Sequence, residues 1–297
     1  MVDTEIQAAV PDGWTDDNLE VGGVRLHYYR SGGEGRPLVV AHGITSDGRS
    51  RLPLFEPLAT EYDVIAYDAR GHGRSAAPET GYRYDELASD LLGVIEALGI
   101  ANESPLLYGH SMGGTTVAVA AAAEPDVPGG VVLEDPELLL EPAGGERENG
   151  GDETGNDENR NEREPNDDLL TPIVDRITGD RDRTEALETD PELRALAADG
   201  RGDLATLLAD AYANVDPAVG GMLEAGGQDP AEVFAEIDAP TLVLKADAAD
   251  AVRKRHREIS SRLGDGRLVH VEGAGHCVLR DEYDRALEEL QAFLEQQ

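Results

Sequence analysis

Ser111 and His276 are the two side chains whose surroundings suit chemistry. Ser111 stands in Gly109-His110-Ser111-Met112-Gly113, with a short apolar run, Leu106–Tyr108, before it and the breaker-free stretch Thr115–Ala123 after it. Strand, tight turn and helix is the setting that lifts a serine hydroxyl clear of a sheet edge. A serine hydroxyl is a weak nucleophile at neutral pH and needs an adjacent base to take its proton. Of the seven histidines, His276 is best suited to this. It follows an apolar strand-like run, Leu268–Val271, and a pliant Gly273-Ala274-Gly275, so its imidazole can reach over the end of a sheet. An imidazole titrates near neutrality, as proton shuttling requires. His27, His256 and His270 fall in strand or helix patterns and read as structural.

These residues need a scaffold, and the apolar patterning predicts one. Asn18–Val21 and Val24–Tyr29 around Gly22-Gly23 read as a β-hairpin. Leu38–Ala41, Val64–Ala66, Leu106–Tyr108, Val131–Leu133, Thr241–Lys245 and Leu268–Val271 are short apolar runs, the mark of strands buried on both faces. Helical spacing appears in Asp85–Leu98 (Leu87, Leu91, Val94, Ile95, Leu98), Met112–Ala123, Val252–Leu263 and the last segment (Tyr283, Leu287, Leu290, Leu294). Strands alternating with helices predict an α/β fold with a mostly parallel sheet.

The alternation breaks once. Residues 141–168 are built from Glu, Asp, Asn, Gly and Arg without apolar periodicity and are expected to be disordered. Residues 169–236 carry helical runs interrupted by Gly and Asp-Pro and are expected to form an inserted cap. The first part of the core is then 1–140 and the second 237–297.

Composition narrows the partners. The chain has 25 basic and 61 acidic residues, a net charge of −36, and its only lysines are Lys245 and Lys254. Such a charge repels nucleic acid and anionic membranes. The acids are dispersed over the chain, which reads as adaptation to molar salt, where counterions screen self-repulsion. The single cysteine, Cys277, excludes an intramolecular disulfide framework and a Cys-based zinc site. Beside His276 it reads as a small packing residue, because a reactive thiol needs an electropositive setting. Met1–Val10 lacks the basic and apolar regions of a signal peptide, and no apolar stretch approaches membrane-spanning length, so a cytoplasmic location is expected. A small-molecule substrate is the expected partner, with no cofactor or metal implied; the oligomeric state is open.

Taken together, His42-Gly43, Asp68–Ser75, Gly109–Gly113 and Gly273–His276 resemble the α/β-hydrolase superfamily, over residues 18–135 and 237–295. The resemblance implies Ser111 as nucleophile, His276 as base, and an oxyanion hole from the backbone N–H groups of Ile44 and Met112, with both side chains free to line a pocket. His42 reads as a hydrogen-bonding strut that holds its loop, and the resemblance makes the Gly-rich turn around His72 a packing element. For the acid it leaves three positions. The usual place, the loop after Thr241–Lys245, puts Ala249 at the acid's position, with Asp247 and Asp250 beside it. Some members take the acid from the end of the preceding strand, here Asp135, and Pro136 is expected to hold that residue extended. Asp135 ranks first, then Asp247 and Asp250. Serine at the elbow argues against dehalogenase and epoxide-hydrolase chemistry. Leu207, Leu208, Tyr212, Val219, Met222 and Leu223 are candidate apolar wall residues.

The expected activity is hydrolysis of a small ester, lactone or related carbonyl compound through an acyl-Ser111 intermediate. Cofactor-free haloperoxidase or perhydrolase activity, and C–C bond hydrolysis, are alternatives on the same residues. A non-catalytic small-molecule binder on the same scaffold is a third.

Overall fold

A computed structural model describes residues 10–136, 176–177, 182–224 and 228–297. The segment 141–168, expected to be disordered, lies outside the described residues.

Eight strands form one sheet: β1 (Thr15–Val21), β2 (Val24–Arg30), β3 (Arg36–Ala41), β4 (Tyr62–Tyr67), β5 (Leu106–His110), β6 (Gly130–Glu134), β7 (Thr241–Lys245) and β8 (Gly266–His270). Their order is β1-β2-β4-β3-β5-β6-β7-β8. The β1–β2 hairpin is antiparallel and joins β4 antiparallel, while β4 through β8 run parallel. Gly22 and Gly23 both have positive φ, as a two-residue type I′ turn demands.

Because side chains alternate along a strand, the sheet divides its residues between two cores. Val39, Ala41, Ile65, Leu107, Val131 and Val243 face one side. There they meet helices α2 (Tyr84–Ala97) and α3 (Met112–Ala123), which follow α1 (Gly48–Phe55) in the chain. Leu38, Val40, Val64, Tyr108, Val132 and Leu242 face the other side, against Leu52 and Phe55 of α1. Each fully buried leucine or valine there contributes roughly 1.5–3 kcal/mol of transfer free energy.

Between β6 and β7 come α4 (Arg183–Thr189), α5 (Pro191–Ala198), α6 (Gly202–Ala213), α7 (Gly221–Glu224) and α8 (Pro230–Ala235). Helices α4, α5 and α6 build their own small core from Ala186, Leu193, Leu196, Leu204, Leu208 and Tyr212, and α6 rests on α1. Helix α8 instead joins the main core, with Phe234 fully buried beside α3. The chain closes with α9 (Asp250–Ser260), α10 (Val278–Asp281) and α11 (Tyr283–Leu294), the last two packing under the β7–β8 side of the sheet. Among the described residues no helix is long and apolar enough to cross a membrane.

The helix α1 was not foreshadowed in the sequence. Its GRSRLPLF has no apolar stripe and contains Pro53, yet nearly every residue in it is buried. Asp47 caps it by accepting from the Ser50 N–H at 2.7 Å, and Asp68 ties its start to the Asp68–Ser75 turn by accepting from the N–H groups of Gly48 and Arg74, each at 2.8 Å. That turn is anchored in its own right by a two-pronged Arg70–Asp90 pair, at 2.6 and 2.7 Å, reaching into α2.

Candidate active site

The sheet reverses its direction of winding at β3: the chain goes to β4 on one side and returns to β5 on the other. In open α/β sheets the crevice beyond the carboxyl ends of such strands is where ligands bind. Ile44 follows β3 here, Ser111 follows β5, Asp135 follows β6, Lys245 ends β7, and His276 lies six residues past β8. Five segments distant in sequence therefore converge on one edge.

Backbone hydrogen bonds set their mutual positions. The Ser111 N–H donates to the Glu134 carbonyl at 2.9 Å, and the Asp135 N–H to the Leu244 carbonyl at 2.7 Å. Val271 N–H donates to Lys245 and Asp247 N–H to Ala274, both at 2.9 Å, so the histidine loop is sewn to the end of β7. His110 Nε2 meets the His276 carbonyl at 3.0 Å and pins the loop from the other side.

Ser111 has φ 54° and ψ −117°, a conformation costly for any residue with a Cβ. It persists because its neighbours leave no alternative. A Cβ on Gly109 would lie 2.1 Å from the Gly113 carbonyl oxygen, and one on Gly113 would lie 2.3 Å from that of Ala41. Only glycine lets β5, the turn and β3 approach this closely.

His276 Nδ1–H donates to Asp135 Oδ2 at 2.6 Å. That bond leaves Nε2 free to accept from the Ser111 hydroxyl, 2.9 Å away. Of the three acid candidates, Asp135 alone faces the imidazole. Asp247 is exposed, paired with Arg253, and accepts from the Gly273 N–H at 3.1 Å; Asp250 opens α9, exposed to solvent. Burial opposes a charge on Asp135, but Lys245, 2.5 Å away, and His276 together hold its carboxyl well below the usual carboxylate range. One expectation fails here: Asp135 is not extended but has φ 41°. The bond to Leu244 and the ion pair with Lys245 fix the carboxylate in place, and they outweigh the preference imposed by Pro136.

His42 is a strut. Its Nδ1–H donates to the Gly43 carbonyl at 2.8 Å, and its Nε2 accepts from the Ala69 N–H at 2.9 Å. His72 joins the Asp68–Ser75 turn to the Ile44 carbonyl at 2.8 Å.

A model of the alpha/beta hydrolase family matches residues 38–290, most of the chain. The chain belongs to that family. Among curated relatives, 2-(acetamidomethylene)succinate hydrolase of Mesorhizobium japonicum is 37% identical over 124 residues, 42% of this chain and 44% of that protein. N-formylmaleamate deformylase of Pseudomonas putida is 38% identical over 122 residues, 40% of this chain and 44% of that protein. The matched stretch thus spans less than half the length of these relatives. The crystal structure of N-formylmaleamic acid deformylase from Pseudomonas putida S16 superposes with a TM-score of 0.70 at 22% identity, covering 93% of this chain and all of that one; it shares the fold.

In this α/β-hydrolase a cavity of about 210 Å³ opens onto Ser111 and His276, smaller than the roughly 300–1,000 Å³ typical of sites for drug-sized ligands. Ile44, Leu54, Leu204, Leu208 and Tyr212 supply its apolar wall. Met112 and Met222, expected in that wall, pack instead in the main core with Val117 and Phe234, as does Val219. The side chain of Leu223 lies outside the described residues. Cys277 lines the cavity, and its desolvated setting pushes the thiol up to about 12, so it carries a proton at neutral pH.

Among the residues that the sequence reading did not single out are Arg51 and Arg280 at the cavity and Glu134 and Lys245 at the strand ends behind it. Lys245 had a signal, as one of two lysines in the chain, ending a strand. The arginines had none, being two among 23.

Proposed function

We propose that this chain is a serine hydrolase acting on a small ester, lactone or amide. Ser111 Oγ attacks the substrate carbonyl carbon as His276 Nε2 takes its proton. The oxyanion that forms is held by the backbone N–H groups of Ile44 and Met112. His276 then protonates the leaving oxygen or nitrogen, the bond to the carbonyl carbon breaks, and the acyl group remains on Ser111. Water attacks that acyl carbon, giving its proton to His276. The acid departs, and the proton returns to Ser111 Oγ. Asp135 keeps the Nδ1 proton in place and stabilises the imidazolium in both steps.

The observation that carries this reading is the unbroken hydrogen-bonded series Asp135–His276–Ser111, ending on a strained serine at the mouth of a cavity. The related hydrolases named above support the reaction class. Helices α4–α6, which contribute Leu204, Leu208 and Tyr212 to the cavity wall, act as a cap that limits substrate size. The charge of −36 supports a molar-salt cytoplasm as the working medium.

The test is hydrolysis of p-nitrophenyl esters of increasing acyl length in molar KCl, with fluorophosphonate labelling of Ser111. Activity should fall as the acyl chain outgrows the cavity and vanish in Ser111→Ala. Equal rates in wild type and Ser111→Ala, or failure of Ser111 to label, would overturn the reading.

A further inference from the structure

We propose that the substrate carries a carboxylate, and that Arg51 binds it. This rests on the hydrolase reading above and names the substrate class for the same cavity.

Arg51 sits on α1 and lines the cavity that holds Ser111 and His276. It is only 5% exposed. Its Nε has no hydrogen-bond partner among the described residues, and the carboxylate within 4.0 Å, Glu134, stands at that full distance from Nη1. Glu134 is already committed: it accepts from the Tyr108 hydroxyl and from the Leu279 N–H, the latter at 2.6 Å. Burial also raises its carboxyl pKa, which weakens it as a counter-charge.

The other guanidinium groups at the cavity are treated differently. Arg176 is gripped by Asp190 at 2.9 Å and Glu192 at 2.6 Å. Arg280 pairs with Glu192 and with Asp281, the latter at 3.1 Å. Those pairs satisfy their charges within the protein. The chain has 61 acidic residues, yet among the described residues no carboxylate is placed to hydrogen-bond Arg51. A buried cation without a close partner is costly, and a guanidinium presents five N–H donors in a fork shaped for carboxylate. Against the apolar wall of Leu54, Leu204 and Leu208, it is the group available to hold an anion in place. The cavity volume restricts that anion to a molecule of a few carbons.

The experiment compares isosteric acid and amide pairs in molar KCl. The acyl-side pairs are the monomethyl esters of succinic and glutaric acid and the matching methyl ester amides. The alcohol-side pair is O-acetylglycolate and O-acetylglycolamide. In wild type, kcat/KM should favour the acid by tenfold or more in at least one pair, mainly through KM. In Arg51→Gln that ratio should fall to near unity, and Arg51→Lys should retain part of it. Ser111 labelling by fluorophosphonate and thermal melting confirm that each variant is folded. Equal treatment of acid and amide by wild type in every pair, with Ser111 still labelled, overturns the carboxylate inference and leaves the hydrolase reading standing. So does a preference that survives in Arg51→Gln. If no ester is hydrolysed and Ser111 does not label, the hydrolase reading has failed. Calorimetry with glutarate against glutaramide then decides the anion site: selective binding of glutarate, lost in Arg51→Gln, supports it, and no selectivity overturns it.

Discussion

Lys245 Nζ lies 2.5 Å from Asp135 Oδ1, while Oδ2 of the same carboxylate holds His276 Nδ1 at 2.6 Å. Both Lys245 and Asp135 are 2% exposed. The last residue of β7 thus neutralises the acid at the end of the neighbouring β6 and, with His276, favours its charged form against the burial that opposes it.

Lys245→Met should cost about 3–5 kcal/mol, the usual price of stranding a buried charge, read as a lower urea midpoint at neutral pH. The sign of the pH dependence follows from the direction of the shift. A carboxylate depressed in the folded state adds stability above its unfolded pKa of about 3.9 and loses it as pH falls through the folded value. Without Lys245 burial acts on Asp135 with less opposition, its pKa rises, and the acid limb of kcat/KM should move to higher pH. An unmoved acid limb would show that Lys245 does not control Asp135.

The three acid candidates separate by substitution. Asp135→Asn should lower kcat by about 10⁴-fold through loss of the correct tautomer. Asp247→Asn and Asp250→Asn should stay within about twofold, since exposed charges contribute little. A larger loss from Asp247→Asn would mean that the loop after β7 supplies the acid.

Ser111 stores backbone strain. Ser111→Gly should abolish ester hydrolysis while raising unfolding free energy by about 1 kcal/mol, because glycine takes φ 54°, ψ −117° without a clash. Ser111→Ala should lose activity without that gain. Denaturant melts of both variants read the difference.

Salt should govern stability. With a charge of −36, the melting temperature should rise steeply from dilute buffer to molar KCl as counterions screen repulsion. A fold equally stable in both media would refute adaptation to molar salt.

The fold was legible where burial left a pattern. The strand runs Leu38–Ala41, Leu106–Tyr108 and Thr241–Lys245 are apolar because both faces of a parallel sheet are covered, and the last helix shows its buried stripe through Leu287, Leu290 and Leu294. Helix α1 left no pattern, since it is buried nearly all round and carries Arg49 and Arg51 inward. The pocket was legible only in part for the same reason. An apolar side chain on an inserted helix can serve the helix core or the cavity, and Met222 and Tyr212 read alike until packing separates them.

By itself the sequence determined the α/β class and marked Ser111 and His276 as candidates, because glycine spacing and strand–turn–helix order are local properties of the chain. Which aspartate meets the imidazole, which lysine faces that aspartate, and which arginine keeps its Nε without a hydrogen-bond partner among the described residues were decided only by the tertiary structure. A hydrogen bond of 2.6 Å between residues 141 positions apart depends on the order and register of β6, β7 and β8, and no local spacing encodes that distance.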